Sequence, residues 1–112
     1  MQTLITKTRN PEIKWIQADF AYSHRNPETF YDDLVAKLSD YEISGLINNV
    51  GIANMKPFVE MTNEDIETSI GTNIYPQVYL THKLWPSFIS RFESEKKRTL
   101  IINLSSIAGR VM

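Results

Sequence analysis

Apolar and polar positions alternate in two distinct rhythms along this chain. Phe30, Leu34, Val35 and Leu38 recur at helical spacing, and the pattern predicts an amphipathic helix over about 27–40. Pro27 suits its first turn, and Asn26 is the candidate cap whose side chain takes a free backbone N–H. A longer helical stripe follows through Ile66, Ile70, Ile74, Val78, Thr81, Trp85 and Phe88. Pro76 lies inside that stripe and removes one N–H, so a kink or reset is expected near Asn73. Pro86 is expected to act in the same way near the helix end.

The other rhythm is short and apolar. Ile13 to Ala18 reads as a strand with Asp19 at its exit, and Ile43 to Asn48 as a second. Thr99 to Leu104 is β-branched and does not alternate, the pattern of a strand covered on both faces. Strand–helix–strand–helix–strand order predicts an α/β fold with a parallel sheet. The two later strands exit into polar, glycine-containing segments, Asn48-Asn49-Val50-Gly51 and Asn103-Leu104-Ser105-Ser106-Ile107-Ala108-Gly109. Ligands in open α/β sheets sit outside the carboxyl ends of strands, so these exits are the candidate site.

Composition narrows the function classes. The 112 residues allow one small domain, with 42% apolar and 22% charged residues and a net charge of −1. Lys96-Lys97-Arg98 is the only basic cluster, too small for a nucleic-acid footprint and read as a solvated loop. The chain has no cysteine, which excludes disulfides, thiol catalysis and Cys-based zinc sites. It has no run of 18 apolar residues and so no bilayer span.

The strand exits and Asn73 resemble the short-chain dehydrogenase/reductase family, whose members are NAD(P)-dependent oxidoreductases with a doubly wound, Rossmann-like parallel sheet. The branch it most resembles is that of 17-beta-hydroxysteroid dehydrogenases and very-long-chain 3-oxoacyl-CoA reductases. That narrower likeness rests on Ala18-Asp19-Phe20, Glu42-Ile43 and the valine of Asn-Asn-Val-Gly. The resemblance implies a partial fold of three strands with intervening helices. It implies that Asp19 contacts the adenine ring, while Asn48, Val50 and Gly51 line the adenosine ribose. Asn49 is expected to brace neighbouring strands. Asn73 matches the helix asparagine that holds a relay water, and Ser106 the serine that hydrogen-bonds the substrate carbonyl. Read alone, Asp19 is equally a turn former or helix cap, and Asn73 a helix-surface residue.

NADP is the cofactor implied by the branch, with NAD as the alternative, and the substrate is a ketone, either a 3-oxoacyl-CoA or a steroid-like molecule. The second reading is an inactive remnant acting as an interaction module through its long helix. A homo-oligomer would use the same helix, with Tyr75, Tyr79, Trp85 and Phe88 as its aromatic area. The branch suggests the endoplasmic reticulum or the cytoplasm.

Two family features have no match at the required places. Gly45, Gly51, Gly71 and Gly109 do not space as the Gly-rich phosphate turn, and no Tyr-x-x-x-Lys follows Ser106. Tyr79-Leu80-Thr81-His82-Lys83 fits that pattern formally, but it precedes Ser106 on the helix of Asn73 and is not read as catalytic. Residues 1–112 are therefore expected to be one incomplete NAD(P)-binding domain, the central piece of a longer enzyme. In the family's strand order, Ile13 to Ala18 would lack its pairing neighbour. Without the tyrosine acid, the isolated chain is expected to turn over no ketone. An NADPH oxidation assay on the purified chain checks this, with a flat trace as the expected outcome.

Overall fold

The computed structural model describes residues 13–107. A 3-10 helix over Phe20–Arg25 leads into α1 (Pro27–Ala36), β1 (Gly45–Asn48) and a 3-10 turn at Phe58–Glu60. Helices α2 (Asn63–Asn73) and α3 (Tyr75–Glu95) then carry the chain to β2 (Leu100–Asn103). β1 and β2 pair in parallel, with Gly45 opposite Leu100 and Asn48 opposite Asn103. A parallel pair needs a long crossover, and α2 and α3 supply it.

The strand expected at Ile13 to Ala18 does not form. Among the described residues the sheet has two strands, and the first segment runs as chain outside any ladder. A strand exists only by pairing, and no strand edge lies against this one. Trp15 is correspondingly 82% exposed. The sheet is covered by α3 on one side, while Ile47 and Leu100 stay exposed.

The helices follow their local chemistry with three departures. Asn26 occupies the cap position of α1, but its side chain makes no capping bond. Pro27 occupies the first helical position, where its missing N–H is one that the helix leaves free anyway. α1 also ends at Ala36 rather than near 40, tightening into turns in which Leu38 N–H donates to Val35 O and Ser39 N–H to Ala36 O. The break expected from Pro76 is present: α2 ends at Asn73, and Pro76 sits in the first turn of α3. Pro86, in contrast, leaves α3 unbroken through to Glu95. It lies on an exposed stretch, where water can take the carbonyl that lacks its helical donor.

The core is an aromatic clasp that the helical periodicity did not single out. Tyr31 is fully buried, stacks on Tyr79 at 4.9 Å between ring centroids, and meets Phe30 edge-on. Its hydroxyl donates to Ser23 Oγ at 3.1 Å, and Ser23 donates to Gly71 O at 3.0 Å. Burial pushes the Tyr31 phenol above its ordinary range. Lys83 closes the clasp from α3, with Nζ at 2.8 Å from both Glu28 and Asp32 of α1. Hydrogen bonds to Asp32 and Glu28 hold that ammonium above the usual lysine range. At the other end, Arg91 of α3 donates to Glu42 ahead of β1 and to Arg98 O ahead of β2.

Gly71 lets the first 3-10 helix lie against α2. A Cβ there would come within 2.7 Å of His24 Nδ1 and 3.3 Å of Ala21 O. Such overpacking costs about 1–3 kcal/mol, against roughly 1 kcal/mol that alanine gains in helix propensity. Gly71→Ala is expected to lower the thermal midpoint, measured by circular dichroism.

The α2 N-terminus makes a second prediction. Thr62 and Asp65 form a reciprocal capping box, and Lys56 Nζ lies 2.7 Å from Asp65 Oδ2. The Lys56 hydrogen bond, followed by those of Thr62, holds the Asp65 carboxyl far below the usual carboxylate range. The stabilisation is therefore complete above the ordinary aspartate value and is lost as pH falls through the depressed one. Asp65→Asn is expected to be less stable than the parent at neutral pH. That gap should begin to close only below about pH 4, as read by urea melts across pH.

Candidate functional site

Both strands deliver their carboxyl ends to one cavity of about 750 Å³. That volume lies within the range of small-molecule and cofactor sites. Three segments wall it: Asn49 to Ala53 after β1, Asn73 and Gln77 at the helix break, and Asn103 to Ile107 after β2. Parallel pairing puts the first and third segments side by side, because Asn48 and Asn103 share a register. The helix break brings the second to meet them.

Asn73 is the joint. Its Oδ1 accepts from Ile52 N–H at 2.8 Å, and its Nδ2 donates to Ile52 O at 3.1 Å. One side-chain amide thus pairs with both backbone groups of one residue, as a strand neighbour would. The loop can come that close because position 51 is glycine. A Cβ on Gly51 would meet Asn73 Oδ1 at 3.2 Å. Pro76 supplies no N–H to the Thr72 carbonyl one turn back, and beside it the Asn73 carbonyl accepts from Gln77 Nε2 at 3.1 Å.

The strand ends are braced, though not by the asparagine expected. Asn48 is buried and donates through Nδ2 to Asn103 Oδ1 at 2.8 Å. Leu104 N–H donates to Asn48 O at 2.9 Å, extending the ladder beyond β2. Asn49 lines the cavity instead. Alternation along β1 accounts for the exchange, since consecutive side chains point to opposite faces. Asn48 Oδ1 is buried without a partner, an acceptor held one residue from the cavity wall.

Of the residues singled out from the sequence, Val50, Gly51, Asn73 and Ser106 line the cavity together. Asn48 stands behind its wall. Asp19 is not among the lining residues; its Oδ1 accepts from Ala21 N–H at 3.0 Å, capping the first 3-10 helix. Ala108 and Gly109, which complete the second motif, lie outside the described residues. Gln77 and Ile52 were not anticipated. Gln77 had a legible cue, lying one turn beyond Asn73 and directly after Pro76.

The tyrosine–lysine pair at Tyr79 and Lys83 is structural. Tyr79 is stacked on Tyr31, and Lys83 is held by two carboxylates of α1. Neither lines the cavity. Among the described residues there is no acidic or histidine cluster able to hold a metal ion, and no helix long and apolar enough to cross a membrane.

A strand-end cavity beside a parallel α/β crossover is the arrangement of doubly wound α/β folds, whose ligands sit outside the carboxyl ends of the strands. A model of the short chain dehydrogenase family matches residues 1–112, and the chain belongs to that family. It is 31% identical over 109 residues to a very-long-chain 3-oxoacyl-CoA reductase of Phaeosphaeria nodorum, covering 94% of this chain and 30% of the relative. A tropinone reductase homolog of Arabidopsis thaliana is 36% identical over 90 residues, covering 80% of this chain and 32% of that protein. The crystal structure of serine dehydrogenase from Escherichia coli superposes with a TM-score of 0.62 at 32% identity, covering 80% of this chain and 40% of that one. The chain thus spans about a quarter to a third of the length of the curated relatives it matches.

The Asn73 joint makes a local prediction. Asn73→Ala removes two hydrogen bonds worth about 0.5–1.5 kcal/mol each. Hydrogen exchange at the Ile52 amide is expected to speed up by roughly tenfold or more, while amides of the α1–α3 clasp keep their protection.

Proposed function

We propose that this chain forms the strand-end part of the active site of a nicotinamide-dependent ketone reductase, with a 3-oxoacyl thioester as the substrate. The observation that carries the reading is the single cavity gathering Gly51, Asn73 and Ser106 from three separate segments. Members of the family typically use NAD(P), and NADP is the form proposed here from the likeness to 3-oxoacyl-CoA reductases.

The residues present suit a nucleotide. Gly51 exposes bare backbone where any side chain would press on Asn73. Val50 adds an apolar wall, and the buried, unpartnered Asn48 Oδ1 offers an acceptor behind it. When bound, the cofactor supplies hydride to the carbonyl carbon. Asp19, through carboxylate capacity beyond its cap, is proposed to meet the adenine amine.

This chain's own residues prepare the carbonyl for reduction. Ser106 lies on the exposed rim after β2 and is proposed to donate its O–H to the ketone oxygen, drawing charge toward it. A serine hydroxyl is too weak an acid to protonate that oxygen at neutral pH, so the proton must come from another group. Asn73 keeps the loop of Ile52 in place, and its carbonyl, already accepting from Gln77, has a second lone pair for a relay water. Holding the loop and the relay on one residue fixes their spacing.

The long helix offers less aromatic surface to a partner than its sequence suggested. Tyr79 and Phe88 pack inward, and Tyr75 lies against Tyr79. A second subunit on this helix would still meet Trp85, now with Ile89 and Phe92, at 52%, 38% and 50% exposure.

Titration of the labelled chain with NADPH, followed by amide chemical shifts, tests the nucleotide reading. Gly51, Ile52 and Ser106 are expected to shift, and Gly51→Val should weaken binding by about tenfold, roughly one lost close contact plus strain. Shifts confined to other residues, or equal binding by the valine variant, would count against it.

A further inference from the structure

The main cavity does not end at its own rim. Ile52 and Ala53 form part of its wall and also line a second cavity of about 360 Å³, whose further lining includes Tyr22, Asn54, Met55 and Thr68. The two cavities therefore adjoin at Ile52 and Ala53, with Ser106 in the lining of the first and Met55 in that of the second. Met55 and its neighbours Phe58 and Val59 are 86%, 79% and 91% exposed. Three large apolar side chains within five residues form a patch of the kind that marks a binding surface, whereas single exposed ones need no explanation.

The patch stands on an ordered turn. Asn54 Oδ1 accepts from Lys56 N–H at 3.1 Å, and Glu60 N–H donates to Pro57 O at 2.9 Å. Lys56 reaches both carboxylate oxygens of Asp65, which also caps α2. The Asn73 amide pins the other end at Ile52. The two carboxylates lining the second cavity are both paired, Asp65 with Lys56 and Glu64 with Arg25 at 3.9 Å. An alkyl chain laid along this path meets no uncompensated charge.

We propose that the loop from Ile52 to Val59 carries the acyl chain of the substrate, and that Met55, Phe58 and Val59 set the preference for long chains. This rests on the reductase reading above, since it takes Ser106 as the anchor of the 3-oxo group. Two adjoining cavities that share Ile52 and Ala53, followed by the exposed Met55, Phe58 and Val59, suit an extended, flexible chain with an apolar end better than a compact ring system. The methionine at the junction suits a chain of variable course, being unbranched and polarisable.

The test compares octanoyl-CoA with stearoyl-CoA, both below micellar concentration, binding to the full chain by calorimetry. A buried methylene is worth about fourfold in affinity, so partial cover of ten added methylenes is expected to give at least a tenfold preference for stearoyl-CoA. A Met55→Gln, Phe58→Gln, Val59→Gln triple variant should bring the two ligands within about twofold, with octanoyl-CoA binding unchanged. Phe58→Gln alone should give an intermediate loss, and circular dichroism should match the parent for both variants. A parent without chain-length preference, binding of neither ligand, or a preference that survives the triple change would each overturn the proposal. NADPH titration of the same samples reports separately on the reductase reading. Intact nucleotide binding with no loop-dependent preference sinks only the acyl track. Loop-dependent preference without nucleotide binding upholds the track and sinks the reductase assignment.

Discussion

Everything at the site depends on a side-chain amide standing in for a strand. Asn73 presents one donor and one acceptor to Ile52, closing a pair of hydrogen bonds across the gap between a helix break and a loop. Aspartate would lack the donor, and any aliphatic residue would lack both. The pair forms because two neighbours allow it. Pro76 ends the ladder of α2 just beyond Asn73, and Gly51 leaves room for the approach. Remove either condition and the loop after β1 loses its fixed relation to the segment that carries Ser106.

The elements that could be read from the sequence are those whose cause is local. β1 and β2 are short apolar runs ended by polar turns, and their observed bounds lie inside the expected ones. The break between α2 and α3 follows from one missing N–H. Asn73 and Ser106 stood out only through the family resemblance, and the fold brings both to one cavity. What escaped depends on partners distant in the chain. Ile13 to Ala18 has strand composition but no adjacent edge, and composition cannot show that. Tyr31 sits between better apolar candidates and becomes central only because Tyr79 arrives over it. The exchange of tasks between Asn48 and Asn49 turns on which face of β1 meets Asn103. A one-residue difference in pleat decides it. Pro86 leaves α3 continuous, and the exposure that lets water reach the carbonyl it frees is not visible in the sequence.

Tyr79 and Lys83 show how little spacing means without placement. Four residues apart on a helix, they match a pattern that elsewhere serves acid catalysis. Here the same spacing aligns a ring and an ammonium on the face that meets α1, where Tyr31, Glu28 and Asp32 await them. Lys83 is the less exposed member of its ion pairs, with its stem laid along the interface, so its contribution combines packing with charge. The pair holds the helices together at a distance from the strand ends.

The exposed side of the sheet has a consequence for the molecule in solution. Ile47 and Leu100 face outward from a strand pair of the kind that parallel sheets normally sandwich between layers. Such a face, beside backbone groups able to accept a further strand, invites self-association whenever copies meet at high concentration.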